Sequence, residues 1–451
     1  MRKLICSSIL CCCLLFSVKA QQAKHVILIS IDGFHPDMYL DKSWPMPNLR
    51  ALMKAGTYAD HLLSVFPSYT YSSHVAMVTG ALPARSGTYF NQPKNSKGEW
   101  NWFNKDIKVP TIWQVLKKAG MTTASVEWPP SVTSDITWDL PEIWAIDQPY
   151  DRITEARKYA TPGLVSEIEQ NATGKLDSNT MNAAYFSLDE NAGRAAAYIF
   201  KAHRPAFLAV HLAEVDETGH DYGRDADSVR LAAASVDRAI GDILETVQRS
   251  NMKDSTAIII VGDHGFSTIH TVFRPNMLIK NVPAKFTAAG GSAFLYASQP
   301  GTRANRDIIK AVTDSLNQLP KDKRQLFRII DRKELDQMGA DSSALMALTG
   351  FSGTVFSGAM AKAKITDHGP GTLIQQNPLE GVFIPAHGGH HGFDPRQLDM
   401  YTGFIAAGAG INKGKEIPEL TVTDIAPIIA QLLGVEFKTP DGKLPQGLIK
   451  N

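Results

Sequence analysis

The strongest constraint on the fold of this chain is a regular alternation of short apolar runs with amphipathic stretches. The runs are rich in β-branched residues and have the length of buried strands; they lie at 25–31, 122–126, 206–211, 257–261 and 402–407. Amphipathic stretches with helical spacing separate them, the clearest at 111–119 and 227–249. Strands that alternate with helices predict an α/β fold, with a central, mostly parallel sheet flanked by helices on both faces.

The first twenty residues have the composition of a secretory signal peptide. Arg2 and Lys3 precede an apolar run at 4–18, and small residues around Ala20 offer a cleavage site. The run is about 15 residues long, whereas a membrane span needs roughly 20, and no later stretch is long and apolar enough. We therefore expect an exported chain, periplasmic or secreted, with no membrane span. An uncleaved N-terminal anchor is the alternative.

All four cysteines lie inside this predicted signal peptide, so the mature chain has neither a disulfide nor a cysteine metal ligand. A lipid anchor on Cys11 fits poorly, because the bulky Leu10 precedes it. The chain is close to neutral and has no basic block of the kind that follows a nucleic-acid backbone. The sequence therefore gives no sign of a nucleic-acid partner, and nothing in it indicates an oligomeric state.

Residues 21–451 are predicted to form a single catalytic domain. Residues 288–380 are patterned differently from the rest, with glycine-rich stretches and one helix near 305–318. We interpret them as an elaboration within the domain, added at one edge of the sheet or forming a cap. A separate folding unit is disfavoured, because a motif with candidate site residues follows them in the chain.

Polar clusters follow several of the predicted strands. The carboxyl ends of parallel strands meet along one edge of a sheet, and ligands of such folds bind there. A single Asp at a strand end is usually a helix cap or a turn former. Six side chains at one edge instead form a candidate metal site: Asp32, Asp216, His220, Asp263, His264 and His391.

Three carboxylates and three imidazoles suit zinc, and six ligands are too many for one tetrahedral ion but enough for two. The mixed nitrogen and oxygen set argues against Ca²⁺ and Mg²⁺, which prefer oxygen alone. Mn²⁺ or Fe²⁺ could substitute for zinc. Asp216 and His220 are four residues apart, so one helical turn would let both reach the same ion.

The segment FPSYTYSSHVAMVTG at 66–80 supplies candidate nucleophiles. Its hydroxyls, among them Ser68, Thr70, Ser72 and Ser73, lie at the predicted start of a helix. The helix dipole and free N–H groups favour an alkoxide and a bound phosphate there. Without the metal ligands elsewhere, these hydroxyls would be interpreted as helix caps.

This segment also carries a family resemblance, together with SIDGFHPD, SVEWPPSVTSD, VDETGHDYG, VGDHGFS and GHHGFDP. The chain resembles the type I phosphodiesterase and nucleotide pyrophosphatase family of the alkaline phosphatase superfamily over nearly all of its mature length. The resemblance implies an alkaline-phosphatase-like fold and a two-zinc hydrolase of phosphodiester or pyrophosphate bonds.

The resemblance further implies roles for the site residues. Thr70 would be the nucleophile, which forms a phospho-threonine that water then hydrolyses, and Asn91 would donate to a non-bridging phosphate oxygen. His387 and His390 fall outside the motif and are interpreted as loop residues or as residues behind the ligands. One metal would be held by Asp216, His220 and His391, and the other by Asp32, Asp263, His264 and Thr70.

The same resemblance favours phosphodiesters over monoesters. Where phosphate monoesterases of the superfamily carry a Lys-x-Arg pair, this chain has SVEWPPS around Trp128. Tyr71 matches one of two aromatic residues that hold a nucleotide base in the family. Asp147 stands at the offset of the second, with Trp144 nearby, although Trp144 could instead be a core residue. The candidate substrate residues are therefore Tyr71, Trp128 and Trp144. Whether the natural diester is a nucleotide or a lipid-type molecule is left open.

Two alternatives to a phosphodiesterase are left open by the sequence. One is a phosphomonoesterase on the same scaffold, and the other is a non-catalytic zinc-binding protein. The presence of all six ligands with Thr70 and Asn91 argues against the second. Sulfatase activity is disfavoured, because such enzymes need a Cys or Ser that is converted to formylglycine.

Overall fold

The computed structural model describes residues 22–299, 301–351, 353–360 and 379–450. The predicted signal peptide at 1–20 lies outside the described residues, and so does part of the segment 288–380. Within the described ranges, no helix is long and apolar enough to cross a membrane.

The strands and helices have the following bounds. The strands are β1 His25–Ile31, β2 Thr57–Leu63, β3 Thr123–Val126, β4 Trp138–Leu140, β5 Phe207–Leu212, β6 Thr256–Gly262, β7 Ser267–Thr268, β8 Thr271–Phe273, β9 Ala284–Ala289, β10 Ser292–Ala297, β11 Phe327–Ile330, β12 Met346–Gly350, β13 Thr354–Phe356, β14 Phe383–Pro385, β15 Gly389–His390, β16 Phe404–Gly408 and β17 Lys415–Thr421. The α-helices are α1 Asp37–Leu40, α2 Pro47–Ala55, α3 Thr70–Thr79, α4 Pro83–Ser86, α5 Ile112–Lys118, α6 Ala156–Tyr159, α7 Leu164–Ile168, α8 Ser187–His203, α9 Glu214–Tyr222, α10 Asp227–Arg249, α11 Thr302–Asn317, α12 Lys321–Arg324, α13 Arg332–Gln337 and α14 Ile425–Leu433.

Eight strands form the central sheet, in the order β17-β2-β16-β6-β1-β5-β3-β4. Neighbours run parallel except where β16 pairs with β6 and with β2. The prediction of a mostly parallel sheet is therefore confirmed. The five predicted strands are present as β1, β3, β5, β6 and β16, although β16 begins two residues later than expected and runs against its neighbours.

The side chains of β1 alternate between two hydrophobic cores, one on each face of the sheet. Ile27 and Ile29 pack with residues of α8 and α10, whereas Val26 and Leu28 pack with residues of α3, α5 and α14. All four are fully buried, and each contributes roughly 1.5–3 kcal/mol by leaving water. A continuous apolar strand needs cover on both sides, and the predicted helices on both faces supply it.

A smaller antiparallel sheet lies outside the central one and has its own core. Its strands follow the order β11-β12-β10-β9, and α11 packs against them through Ile308, Val312 and Leu316. A third sheet consists of β13, β8 and β14. The described strands of 288–380 therefore pair with one another and with β8 and β9, not with the central sheet.

Two glycines bring the turn between β9 and β10 against the chain around His391. Gly290 has a φ of +55°, which favours glycine, and a Cβ on Gly291 would lie 2.1 Å from the ring of Phe393. The N–H of Gly291 donates to the carbonyl of His391 at 2.9 Å. The smaller sheet thereby fixes the loop that carries one of the predicted ligands.

Candidate active site

The structure brings the predicted ligands together at the carboxyl edge of the central sheet. Asp32 directly follows β1, and Asp263 and His264 directly follow β6. Asp216 and His220 lie one turn apart on α9, which follows β5, and their side chains approach to 3.2 Å. The convergence has a simple cause, because neighbouring parallel strands end at the same edge.

His391 reaches this edge from the loop after β15. Its ring stacks on the ring of His264, with centroids 3.7 Å apart and planes 9° apart. Its Nδ1 lies 2.8 Å from the carbonyl oxygen of Ser68, in the segment that leads into α3. His391 therefore contacts three parts of the fold: the turn of the smaller sheet, the ligand His264 after β6, and the segment that carries the predicted nucleophile.

The first group of candidate metal ligands is Asp32, Asp263 and His264, whose ligand atoms all lie within 4.8 Å of one another. His264 Nε2 is 3.2 Å from a carboxylate oxygen of each aspartate and 3.3 Å from Thr70 Oγ1. Thr70 is the first residue of α3, so its hydroxyl lies at the positive end of the helix dipole. The predicted nucleophile thus lies directly against this group.

The remaining predicted ligands, Asp216, His220 and His391, lie beside one another. His220 Nε2 is 3.2 Å from Asp216 Oδ2, and His391 Nε2 is 3.8 Å from Asp216 Oδ1. Within 4.8 Å, however, Asp216 groups with His264 and His391, whereas His220 groups with His390 and His391. His390, interpreted from the sequence as a loop residue, therefore lies among imidazoles that could bind a metal.

In the three predicted histidine ligands the backbone holds Nδ1, so the Nε2 lone pair is the one that can bind a metal. The Nδ1 atoms of His220, His264 and His391 lie 3.1, 3.0 and 2.8 Å from backbone carbonyl oxygens, so each Nδ1 carries the proton. Each of the three aspartates keeps one buried oxygen without a hydrogen-bond partner among the described residues. Lone pairs that face lone pairs in a buried site need a cation between them, so these residues fit a metal.

Burial raises the pKa values of two of the candidate metal ligands, Asp32 and Asp263. Burial, followed by the charge of Asp216, raises the pKa of Asp32 well above its usual value. Burial and the charge of Asp32 raise the pKa of Asp263 in the same way. Two neighbouring carboxylates that resist ionisation together are stabilised in their charged form by a bound cation.

Asn91 is held beside the nucleophile by α3. Its Oδ1 accepts the N–H of Tyr71 at 3.0 Å, and its Nδ2 has no partner within the part of the chain that the structure describes. Asn91 and Thr70 line a cavity of about 280 Å³, here called the first cavity. Four of the predicted ligands line it as well: Asp32, Asp216, His220 and His391.

Of the three aromatic residues predicted to contact substrate, Trp144 lines the first cavity. Trp100, which the sequence did not single out, lines it too, with its ring centroid 4.9 Å from that of Trp144. Tyr71 and Trp128 are fully buried and lie outside the cavity wall. The Tyr71 hydroxyl donates to Glu142 Oε1 at 3.0 Å, so this ring points into the protein.

Several charged residues of the first cavity were missed by sequence reasoning, and most of them lie outside the motifs. They include Arg152, whose guanidinium pairs with Glu142 at 3.5 Å and with Glu217 at 3.4 Å. It also lies 3.8 Å from the ring centroid of Trp144. Glu127 stands inside the SVEWPPS motif beside Trp128, and this position is the one sequence signal that could have marked it.

A second cavity, of about 490 Å³, adjoins the first and shares Asn91, Trp100, His220 and His391 with it. Tyr69, Lys94 and His390 also line this second cavity. The Lys94 amine is paired with the buried carboxylate of Asp341, so its charge is already matched.

The fold and the site together define a class. An alkaline-phosphatase-like sheet whose carboxyl edge gathers metal-binding aspartates and histidines around a hydroxyl is typical of metal-dependent hydrolases of phosphoric esters. Residues 26–369 match the family model of type I phosphodiesterase / nucleotide pyrophosphatase. The chain belongs to this family, and it is a phosphoric diester hydrolase by class.

Known proteins agree with this assignment. Ectonucleotide pyrophosphatase/phosphodiesterase family member 7 of Rattus norvegicus is 20% identical over 450 residues, which cover 94% of this chain and 87% of the relative. Venom phosphodiesterase of Macrovipera lebetinus is 26% identical over 261 residues, which cover 54% of this chain and 26% of that protein. The structure of murine ectonucleotide pyrophosphatase/phosphodiesterase 5 superposes with a TM-score of 0.65 at 19% identity, covers 94% of this chain and 100% of that chain, and shows the shared fold.

Proposed function

We propose that this chain is an exported phosphodiesterase or nucleotide pyrophosphatase that uses Thr70 as its nucleophile and binds two zinc ions. One observation carries the proposal. Thr70 Oγ1 lies 3.3 Å from His264 Nε2 at the start of α3, and it faces a cavity that four candidate metal ligands line. A phosphoryl group in that cavity would meet the hydroxyl and the ligand groups together.

Thr70 and Asn91 would act on the phosphoryl group in different ways. Thr70 Oγ1, without its proton, forms a bond to phosphorus while the bond to the leaving alkoxide breaks, which gives a phospho-threonine. Asn91 donates from Nδ2 to a non-bridging oxygen, because its Oδ1 is held by the Tyr71 N–H. Water then attacks phosphorus, restores Thr70 and releases a phosphomonoester.

The donor set supports zinc, although Mn²⁺ accepts similar ligands. When bound, the metal would lower the pKa of the Thr70 hydroxyl and neutralise charge on the phosphate and the leaving oxygen. Asp32, Asp263 and His264 would hold one ion together with Thr70. Asp216, His220 and His391 would hold the other, and the proximity of His390 makes that residue a further candidate ligand.

The charges of the two cavities favour a diester over a monoester. A monoester carries a second negative charge, which needs an unengaged cationic donor beside the phosphate. Apart from histidines, the cationic residues of the described cavity walls are Arg152 and Lys94. Both are already paired with carboxylates, Arg152 with Glu142 and Glu217 and Lys94 with Asp341.

We also propose that residues 21–451 work as one catalytic unit, in which 288–380 is an elaboration rather than a separate enzyme domain. Thr287 and Ala288 of β9 line the second cavity together with Asn91 and His391. The smaller sheet therefore supplies part of the wall beside the nucleophile.

The experiment compares hydrolysis of bis-p-nitrophenyl phosphate and p-nitrophenyl phosphate by the zinc-loaded mature chain. We expect the diester to have the higher kcat/KM and Thr70→Ala to abolish its turnover. Ser72→Ala, which removes a neighbouring hydroxyl of the same helix, is the matched control and should retain activity. Metal analysis of the purified protein identifies the ion, and N-terminal sequencing after expression of the whole chain tests cleavage near Ala20.

Three results would contradict parts of the proposal. A higher kcat/KM for the monoester would make the protein a phosphomonoesterase. Activity that survives Thr70→Ala but not Ser72→Ala would place the nucleophile elsewhere. A folded, zinc-loaded protein that hydrolyses neither substrate would restore the interpretation as a non-catalytic zinc-binding protein.

A further inference from the structure

A buried carboxylate without a partner lies in the wall of the first cavity. Glu127 is 4% exposed and lines this cavity together with Thr70 and Asn91. Its side chain makes no hydrogen bond or ion pair with any described residue, and its Oε1 is shut off from solvent. Buried polar groups are normally satisfied, and a buried carboxylate without a partner is costly unless a ligand meets it.

The other carboxylates of this cavity that are not candidate metal ligands already have partners. Asp189 accepts the N–H groups of Ala213 and Glu214 at 2.9 and 3.1 Å. Glu142 accepts the Tyr71 hydroxyl and pairs with Arg152, which also pairs with Glu217. Glu127 is therefore the carboxylate of this set that is left to meet a ligand.

The balance of charge around Glu127 is negative. Glu127, Glu142, Asp189 and Glu217 line the same cavity as a single guanidinium, that of Arg152. Burial, followed by the charge of Glu142, raises the pKa of Glu127 well above its usual value, and the charges of Arg152 and His211 oppose this rise only in part. A cationic group placed beside Glu127 would stabilise its charged form.

The surroundings of Glu127 suit an organic cation better than a metal ion. Among the described residues, the groups of three side chains that could hold a metal all lie around Asp216, His264 and His391, and none includes Glu127. Trp100, Trp144 and Leu188 give the same cavity apolar walls. Such walls can cover the carbon atoms of a substituent whose charged end meets Glu127.

We propose that Glu127 receives a primary ammonium group carried by a substituent of the phosphodiester that binds at Thr70. This inference rests on the proposed function and deepens it, since it names aminoalkyl phosphodiesters as the preferred substrate class. A primary ammonium has three N–H donors for the unpartnered carboxylate. A quaternary ammonium has no N–H donor and would leave the Glu127 oxygens unsatisfied.

The test uses three p-nitrophenyl phosphodiesters with the same leaving group and the zinc-loaded mature chain. The second substituent is ethyl, 2-aminoethyl or 2-(trimethylammonio)ethyl. We expect kcat/KM for the aminoethyl diester to exceed that of the ethyl diester by about tenfold or more, the effect of a hydrogen bond between charged groups. The trimethylammonio diester should fall below the aminoethyl diester.

Variants then assign the preference to one residue. Glu127→Gln should remove the preference for the aminoethyl over the ethyl diester. Glu245→Gln, at an exposed position of α10, is the charge-matched control and should keep the wild-type preference. A preference that survives in Glu127→Gln would overturn the assignment.

The wild-type comparison is decisive even if Glu127→Gln fails to fold. Equal kcat/KM values for the ethyl and aminoethyl diesters, or a preference for the trimethylammonio diester, would overturn the ammonium subsite. If the ethyl diester is then still hydrolysed only when Thr70 is present, the proposed function stands. Hydrolysis of the ethyl diester by Thr70→Ala would instead remove the proposed function itself.

Discussion

Replacement of His211 should weaken the metal site from behind its ligands. His211 Nε2 lies 3.2 Å from Asp32 Oδ2, and its Nδ1 lies 3.3 Å from Glu142 Oε2. The other Asp32 oxygen, Oδ1, faces His264 Nε2 at 3.2 Å. The buried imidazole of His211 therefore orients the Asp32 carboxylate so that Oδ1 points into the first ligand group.

The size of the effect follows from this hydrogen bond. A hydrogen bond to a charged group contributes about 1.5–3 kcal/mol, and 1.4 kcal/mol corresponds to tenfold in an equilibrium constant. Loss of a group that hydrogen-bonds a metal ligand typically lowers metal affinity or activity by about 10–100-fold. His211→Ala is therefore expected to weaken zinc binding by about 10–100-fold. The zinc affinity of His211→Gln, whose amide can still donate to Asp32, should lie between those of the wild type and His211→Ala.

The assay measures recovery of diesterase activity as free zinc is raised in a chelator buffer. His270→Ala, which removes an exposed imidazole outside the ligand groups, is the matched control and should recover at the zinc concentration of the wild type. The order of zinc affinity should be wild type, His211→Gln, then His211→Ala. A folded His211→Ala protein with wild-type zinc affinity would refute the role of His211.

Three further predictions concern stability and turnover. Burial raises the pKa of Asp139 to about 7, so between pH of about 4 and 7 the unfolded chain loses a proton that the folded chain keeps. The contribution of Asp139 to the free energy of unfolding should therefore fall by about 4 kcal/mol as pH rises through this range, and denaturant titrations of Asp139→Asn should show a pH dependence that lacks this contribution. Gly291→Ala places a Cβ 2.1 Å from the Phe393 ring and should lower the free energy of unfolding by about 1–3 kcal/mol. Asn91→Ala should lower kcat for the diester by about 100-fold in steady-state assays, because one donor to the phosphate is lost.

Each of these predictions has its own control. Parallel pH profiles of stability for the wild type and Asp139→Asn would show that this carboxyl does not hold its proton in the folded chain. Gly301→Ala, at a site with open space, should change the free energy of unfolding by no more than about 0.5 kcal/mol. A wild-type kcat in Asn91→Ala would exclude its contact with the phosphate.

The centre of the fold is predictable because its strands are buried on both faces. The run HVILISI becomes β1 with the predicted bounds, since an uninterrupted apolar run has no other stable environment. The edge strand β17 was missed, because its exposed positions carry Lys415, Glu416 and Glu419 and weaken the apolar pattern. The direction of β16 was also missed, because an apolar run does not encode the polarity of its pairing.

The site was predictable only where residues stand at strand ends or in motifs. Asp32, Asp263 and His264 follow apolar strands, and the spacing of Asp216 and His220 fits one helical turn. Other features depend on contacts between distant segments. The inward orientation of Tyr71, for example, depends on Glu142, seventy-one residues away in sequence. The proximity of His390 to His220 likewise depends on how the loop after β14 folds back onto α9.

The central claim is that Thr70 becomes covalently phosphorylated during turnover. Its most direct test is acid quenching of the zinc-loaded chain during hydrolysis of bis-p-nitrophenyl phosphate, followed by peptide mass spectrometry. We predict a peptide in which Thr70 carries a p-nitrophenylphosphoryl group, because only one p-nitrophenolate has left at this stage, and this peptide should be absent from Thr70→Ala. The same group on Ser68, Ser72 or Ser73, or sustained turnover with no modified peptide at any quench time, would contradict the claim.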